Sequence, residues 1–158
     1  MSQQTDEQNL QTAERQQAAE PLQSAERRQT TEQDEQQIRA VIDAWCETSS
    51  AGDLTAQFHL MTRDVVFLTS GRAPMRRDEF AAAFRAMTQV ATIKCRSRLQ
   101  EITISGDLAL CWNLLEVAVT PIEGGHVRKH AGNVVTALRR GPDGQWRIWR
   151  DANLLTPV

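Results

Sequence analysis

Arg139-Arg140-Gly141-Pro142-Asp143-Gly144-Gln145-Trp146-Arg147-Ile148 carries the clearest structural instruction in the chain. Pro-Asp-Gly favours a type I turn closed by a left-handed glycine, the three-residue loop of a β-hairpin. Gly141 then pairs with Gln145. Counting outward, Ile148 faces Leu138, Arg150 faces Thr136 and Ala152 faces Val134. Trp146, Ile148, Leu138 and Val134 make one face apolar, so that face is assigned to the core. Strict alternation puts Thr136 and Arg150 on the same face and Asp151 on the other.

Working outward, the hairpin is the end of a meander. Strands are expected near Thr92–Ile104, Leu108–Thr120, His126–Leu138 and Gln145–Leu154, separated by Ser105-Gly106-Asp107, the Gly124-Gly125 loop and Pro142-Asp143-Gly144. If Ser105-Gly106-Asp107 is also a three-residue loop, Ile104 faces Leu108, Ile102 faces Leu110, Gln100 faces Trp112 and Arg98 faces Leu114. Leu108, Leu110, Trp112 and Leu114 then form an inward apolar run ending in Glu116. A slip of one residue would exchange the two faces.

Before the meander the periodicity is helical. Ile38, Val41, Ile42 and Trp45 follow the i, i+3, i+4, i+7 stripe of a helix beginning near Asp34. Ala51-Gly52-Asp53 ends it, and Asp53 caps a short second helix over Leu54–Met61. Val65–Thr69 reads as a strand. Arg77–Thr88 reads as a third helix with Phe80, Phe84 and Met87 on one stripe. Helices first and strands afterwards indicate an α+β domain over residues 34–158. Residues 1–33 are rich in Gln, Glu, Thr and Arg, with Leu10 and Leu22 almost their only large apolar side chains. Such a segment is expected to be a solvated tail, because it cannot offset its ordering entropy by burial.

Composition narrows the function classes. The 158 residues carry 18 basic and 20 acidic groups, a net charge of -2, and no basic footprint for nucleic acid or a membrane surface. Every basic residue except Lys94 and Lys129 is arginine, the better clamp for carboxylates. No apolar run approaches the roughly 20 residues that span a bilayer, and no hydrophobic N-terminal stretch marks a secretory signal. Cys46, Cys95 and Cys111 are widely spaced and read as three free thiols, so a cytoplasmic location is expected. No His-x-x-x-His or clustered Cys/His spacing suggests a metal. No glycine-rich phosphate loop suggests a nucleotide and no Gly-x-Ser-x-Gly elbow a serine nucleophile. No cofactor is expected.

Several motifs resemble one family. Gly52-Asp53-Leu54 followed by Thr62-Arg63-Asp64-Val65-Val66-Phe67, then Gly106-Asp107-Leu108-Ala109-Leu110, and above all Gly132 to Asp151 are similar to SnoaL-like proteins. The match is nearest to the YybH-type and SgcJ/EcaC-like branch of the nuclear transport factor 2-like superfamily. The resemblance implies a cone-shaped, cystatin-like fold in which three N-terminal helices pack on a strongly curved antiparallel sheet. It also implies a pocket inside the cone and frequent dimerisation. It fixes no single activity, because relatives include isomerases, cyclases, dehydratases, epoxide hydrolases and noncatalytic assembly modules.

On this register Arg98, Glu116, Thr136 and Arg150 project into the open end of the cone, above Trp112 and Leu114. Glu116 and an arginine there either pair with each other or hold a small, anionic organic ligand. In an enzyme of the isomerase, cyclase or dehydratase type, Glu116 is the candidate acid or base. Arg98, Trp112, Leu114, Thr136 and Arg150 are the candidate ligand contacts. In a noncatalytic module the same pocket only binds. Asp64 matches an acidic position typical of the family, and His59, on the second helix, is placed near the pocket. His126 and His130 read as exposed. Leu115, Val117, Val135, Ala137 and Trp149 make the convex face apolar as well, which points to a homodimer through that face.

Overall fold

The computed structural model describes residues 30–158, and residues 35–158 form one of the chain's two units. The proposed tail with Leu10 and Leu22 lies outside the described residues apart from 30–33, which are helical. Helix α1 covers residues 30–51. It is followed by α2 (Leu54–Leu60), β1 (Met61–Thr69), α3 (Arg77–Val90), β2 (Ala91–Ser105), β3 (Leu108–Pro121), β4 (Arg128–Arg140), β5 (Trp146–Asn153) and the short β6 (Thr156–Pro157). Asp53 caps α2, its carboxylate accepting from the Ala56 N–H at 2.9 Å.

The sheet order is β1-β5-β4-β3-β2, with β6 continuing beside β4. β1 runs parallel to β5, so the sheet is mixed and not wholly antiparallel as the meander alone suggests. The helices cover one face. The α1 stripe divides its contacts: Ile38 and Ile42 pack on Ala109, Cys111, Leu138 and Trp146, while Val41 and Trp45 pack toward Met61, Val65, Phe67 and Ile148.

The decisive hairpin closes as its sequence dictates. The Gly141 N–H donates to the Gln145 carbonyl at 2.9 Å, Gly144 takes a φ of 75°, and Leu138 pairs with Ile148. Beyond Ile148 the pairing departs from strict alternation. A β-bulge at Trp149 inserts one extra residue on β5, so Arg150 pairs with Ala137, Asp151 with Thr136 and Ala152 with Val135. Asp151 therefore turns to the inner face and Arg150 to the outer one, the reverse of the expected placement.

β3 is inverted for a different reason. Residues 106–107 make a two-residue turn, with a positive φ at Gly106 alone, and Ser105 pairs with Leu108. Its buried positions are Ala109, Cys111, Asn113 and Leu115, while Leu108, Leu110 and Trp112 are exposed. Small side chains face inward because α1 lies directly on them. The bulky set that looked like core in the sequence is outside. A second bulge at Gln100 restores the expected Arg98–Leu114 pairing, but on the outer face.

At the far end of β5 the chain bends sharply against β4. The Leu154 N–H donates to the Asn133 carbonyl at 3.0 Å. A Cβ at position 132 would sit 2.6 Å from the Leu154 carbonyl oxygen, so the close approach needs Gly132.

The expectation of three free thiols is corrected. Cys46 on α1 and Cys95 on β2 form a disulfide, their Cα atoms 5.1 Å apart, and Cys111 is free and buried. The 49-residue separation hides the pair in the sequence; crossing α1 over β2 brings it together. Among the described residues no helix is long and apolar enough to cross a membrane, and no cluster of His, Cys, Asp or Glu could hold a metal ion.

Candidate functional site

Asp151 is the carboxylate that the fold delivers to the interior. It sits in a row of inner-face neighbours, Phe67 on β1, Asp151 on β5, Thr136 on β4 and Cys111 on β3. Thr136 is 1% exposed, and its hydroxyl donates to Asp151 Oδ2 at 2.8 Å. Burial pushes the Asp151 carboxyl up to about 6, the Thr136 hydrogen bond opposing that rise. The residue is nonetheless half-buried, because it opens onto a cavity. Burial, reinforced by the nearby negative Asp151, pushes the Cys111 thiol up to about 12. Cys111 is therefore a neutral thiol and no nucleophile.

The cavity holds about 180 Å³ between α1, α2, α3 and the sheet. One wall is aromatic. Trp45 and Phe67 lie 5.5 Å apart between ring centres, Phe67 and Phe80 4.6 Å, and Phe80 and Phe84 5.8 Å, with angles of 25°, 26° and 23° between their planes. The polar groups Ser49, Gln57, Asp151 and Asn153 also line the cavity, Asp151 lying beside Phe67. Asn153 lies two residues beyond Asp151 on β5. Its Oδ1 accepts from the Leu155 N–H at 3.0 Å, which leaves its amide NH2 as the donor it can offer a ligand. A smaller annex of about 40 Å³ reaches Ser97, Asn113 and Thr136. Among the described residues no arginine, lysine or histidine lines either space.

The bulge that aims Asp151 is held from outside. Trp149 points outward, stacked between the guanidinium groups of Arg139, at 4.1 Å from its ring centre, and Arg150, at 4.3 Å. Its indole N–H donates to Asp64 Oδ2 at 3.1 Å, and Arg139 also reaches that oxygen at 3.4 Å. The Arg150 guanidinium donates to the carbonyls of Asp64 and Trp149 at 2.8 and 2.7 Å. Arg150, expected as a ligand clamp, thus ties β5 to β1 on the outer face. Asp64 accepts in the same outer cluster.

The other sequence candidates are dispersed. Only Thr136 lies beside the cavity. Glu116 and Arg98 are exposed on the outer face, with Leu114, two residues before Glu116 on β3 and paired with Arg98, half-buried. Trp112 is 38% exposed, its indole donating to Glu101 Oε2 at 3.1 Å. Glu116 faces a broader open depression of about 590 Å³ with Lys94, Arg96, Lys129 and His130. Those groups are in contact with water, which weakens any charge interaction among them; the smaller cavity is the better chemical site because it holds the carboxyl whose acidity burial shifts. His59 stays on the exposed side of α2, within 3.0 Å of the Thr55 carbonyl. Sequence reasoning missed Asp151, Asn153, Gln57 and the aromatic wall. Trp45, Phe80 and Phe84 were visible as helix stripes, but the bulge that turns Asp151 inward leaves no mark in the alternation.

Comparison with known proteins agrees with this architecture. Residues 38–151 match the SnoaL-like domain family. A conserved protein from Planctomyces limnophilus is 39% identical, with a TM-score of 0.78 over 80% of this chain and 99% of that one. A ketosteroid isomerase-like protein from Erwinia carotovora is 22% identical, with a TM-score of 0.65 over 77% of this chain and 93% of its own. A nuclear transport factor 2-like superfamily protein from Salmonella enterica is 16% identical, with a TM-score of 0.70 over 80% and 92%. No curated protein matches the chain. The family match spans most of the chain, and the helices, sheet and cavity fit it, with the nuclear transport factor 2-like protein sharing the fold: the protein belongs to the SnoaL-like family.

Proposed function

We propose that the cavity is catalytic and that Asp151 moves a proton on a small, flat, largely apolar organic substrate, in an isomerisation, cyclisation or dehydration. The carrying observation is the environment of Asp151. Its carboxyl is half-buried at the wall of a largely apolar cavity, with Thr136 as its hydrogen-bond partner. Burial brings its acidity to about 6. A carboxyl poised there is a usable base at neutral pH and regains its proton easily. No arginine neutralises it, as one would in a site built only to hold a carboxylate ligand. The anionic ligand expected from Arg98 and Arg150 loses its basis, since both side chains are outside. Asn153 is placed to donate to oxygen charge that develops as Asp151 takes a proton from carbon.

The test needs no physiological substrate. Exchange of the α-protons of 2-tetralone into D2O, followed by NMR, reports proton abstraction directly. Wild-type protein should accelerate exchange, with the rate rising through a midpoint near pH 6. Asp151→Asn should lose about 10²–10⁴-fold of that rate. Equal rates for the two proteins would reduce the cavity to a binding site.

We also infer a two-fold dimer through the outer face of the sheet. Leu110, Trp112 and Val135 are 53%, 38% and 37% exposed and adjoin one another across β3 and β4, with Ala137 beside Leu110. Leu115 and Val117, assigned to this patch from sequence, face inward instead. A shallow groove of about 210 Å³ beside Trp112 gives the patch relief that a second copy can fill. Sedimentation should find a dimer at micromolar concentration and a monomer for Trp112→Glu. A dimeric glutamate variant would exclude this face.

A further inference from the structure

Gln57 is wholly buried, lines the cavity, and has one amide atom without a partner. Its orientation is settled by Ser49. The Ser49 hydroxyl has a single proton and spends it on the Trp45 carbonyl at 2.6 Å. Towards Gln57, at 2.8 Å, Ser49 Oγ can therefore only accept, so the Gln57 atom facing it is the NH2 group. What remains is Oε1, a buried acceptor with no donor in reach. Asn113, in the adjoining annex, repeats the pattern: its NH2 donates to Ser97 Oγ at 2.8 Å and its Oδ1 is unpartnered. Gln57 Oε1 is already buried and unpaired, so a ligand that brings it a donor removes a cost that a ligand without one leaves in place.

We infer that Gln57 selects the ligand, and that the cavity takes a small hydroxylated aromatic whose O–H donates to Gln57 Oε1. The aromatic part follows from the cluster of Trp45, Phe67 and Phe80, whose ring centres lie 4.6–5.5 Å apart and which favours an aromatic ring packed against it. The size follows from the 180 Å³ of space, below the roughly 300–1,000 Å³ of sites for drug-sized ligands. The hydroxyl follows from Gln57. This assignment rests on the cavity being the site of function, as proposed above, and names the substrate class for it. It does not depend on Asp151 being a base.

Paired probes separate the two claims. Binding of 2-naphthol and of 2-methylnaphthalene, equal in ring system and differing in the donor, is measured by NMR titration. Wild-type protein should bind 2-naphthol about tenfold more tightly. Gln57→Met should abolish the preference while keeping 2-methylnaphthalene, with Gln57→Leu as a second variant should the first not fold. Asp151→Asn should retain the preference. Equal affinities in the wild type would overturn the inference, because a resident water would then satisfy Gln57. So would a preference that survives both Gln57 variants, or one that vanishes with Asp151→Asn, since the hydroxyl would then be held by the carboxylate. Absence of 2-tetralone exchange in the wild-type protein, with its naphthol preference intact, would instead overturn the proton-transfer reading alone.

Discussion

Asp151→Asn is expected to stabilise the protein at pH 7 while removing its proton-transfer activity. The folded carboxyl keeps its proton up to about pH 6, whereas the unfolded one releases it near 3.8. Between those values the folded state binds more protons, so stability falls as pH rises through the window and stays lower above it. The gap from 3.8 to about 6 corresponds to about 3 kcal/mol. Asparagine can still accept from Thr136 through its carbonyl oxygen and carries no charge to bury. Denaturant unfolding should show the variant more stable by up to about 3 kcal/mol at pH 7 and by little at pH 4. A variant less stable than wild type at both pH values would mean that the carboxylate is satisfied where it lies.

Trp45→Ala is expected to cost about 3–5 kcal/mol of stability. Trp45 anchors α1 to the sheet through Phe67 and Phe80, each 5.5 Å away between ring centres, and through the cluster around Ile148. One side of the indole already faces the cavity, so the loss should fall toward the lower end of that range. The truncation also merges the indole's volume with the cavity, so the flat probes should bind more weakly through loss of the stacking wall. Near-normal stability would show that α1 is held by Ile38 and Ile42 alone.

The two predictions join a stability effect to a functional one, and both depend on parts of the molecule that were unequally legible in the sequence. The helices and strands could be read because their periodicities are clean: the Ile38–Trp45 stripe, the Phe80–Phe84 pair, and the Pro142-Asp143-Gly144 turn that pairs Gly141 with Gln145. The inner face of β4, with Val134, Thr136 and Leu138, followed from that turn. The site did not follow, because it depends on irregularities. The bulge at Trp149 exchanges Arg150 for Asp151, and the two-residue turn at Gly106-Asp107 exchanges Trp112 for Asn113. Both faces of β3 are apolar, so hydrophobic pattern could not arbitrate. Only the packing of α1 on Ala109 and Cys111 shows that the small residues are the inner ones. Trp149 reads from the sequence as an outer-face residue. Its place there is stabilised by Arg139, Arg150 and Asp64, the last of them 85 residues away in sequence.

The central claim is that the fold delivers a desolvated, titrating carboxyl to an apolar cavity. It is tested most directly by a 13C NMR titration of side-chain carboxyl groups, with Asp151→Asn used to assign the resonance. A midpoint for Asp151 near 6 is the predicted result. A midpoint at or below about 4, the range of an ordinary solvated aspartate, would contradict the account.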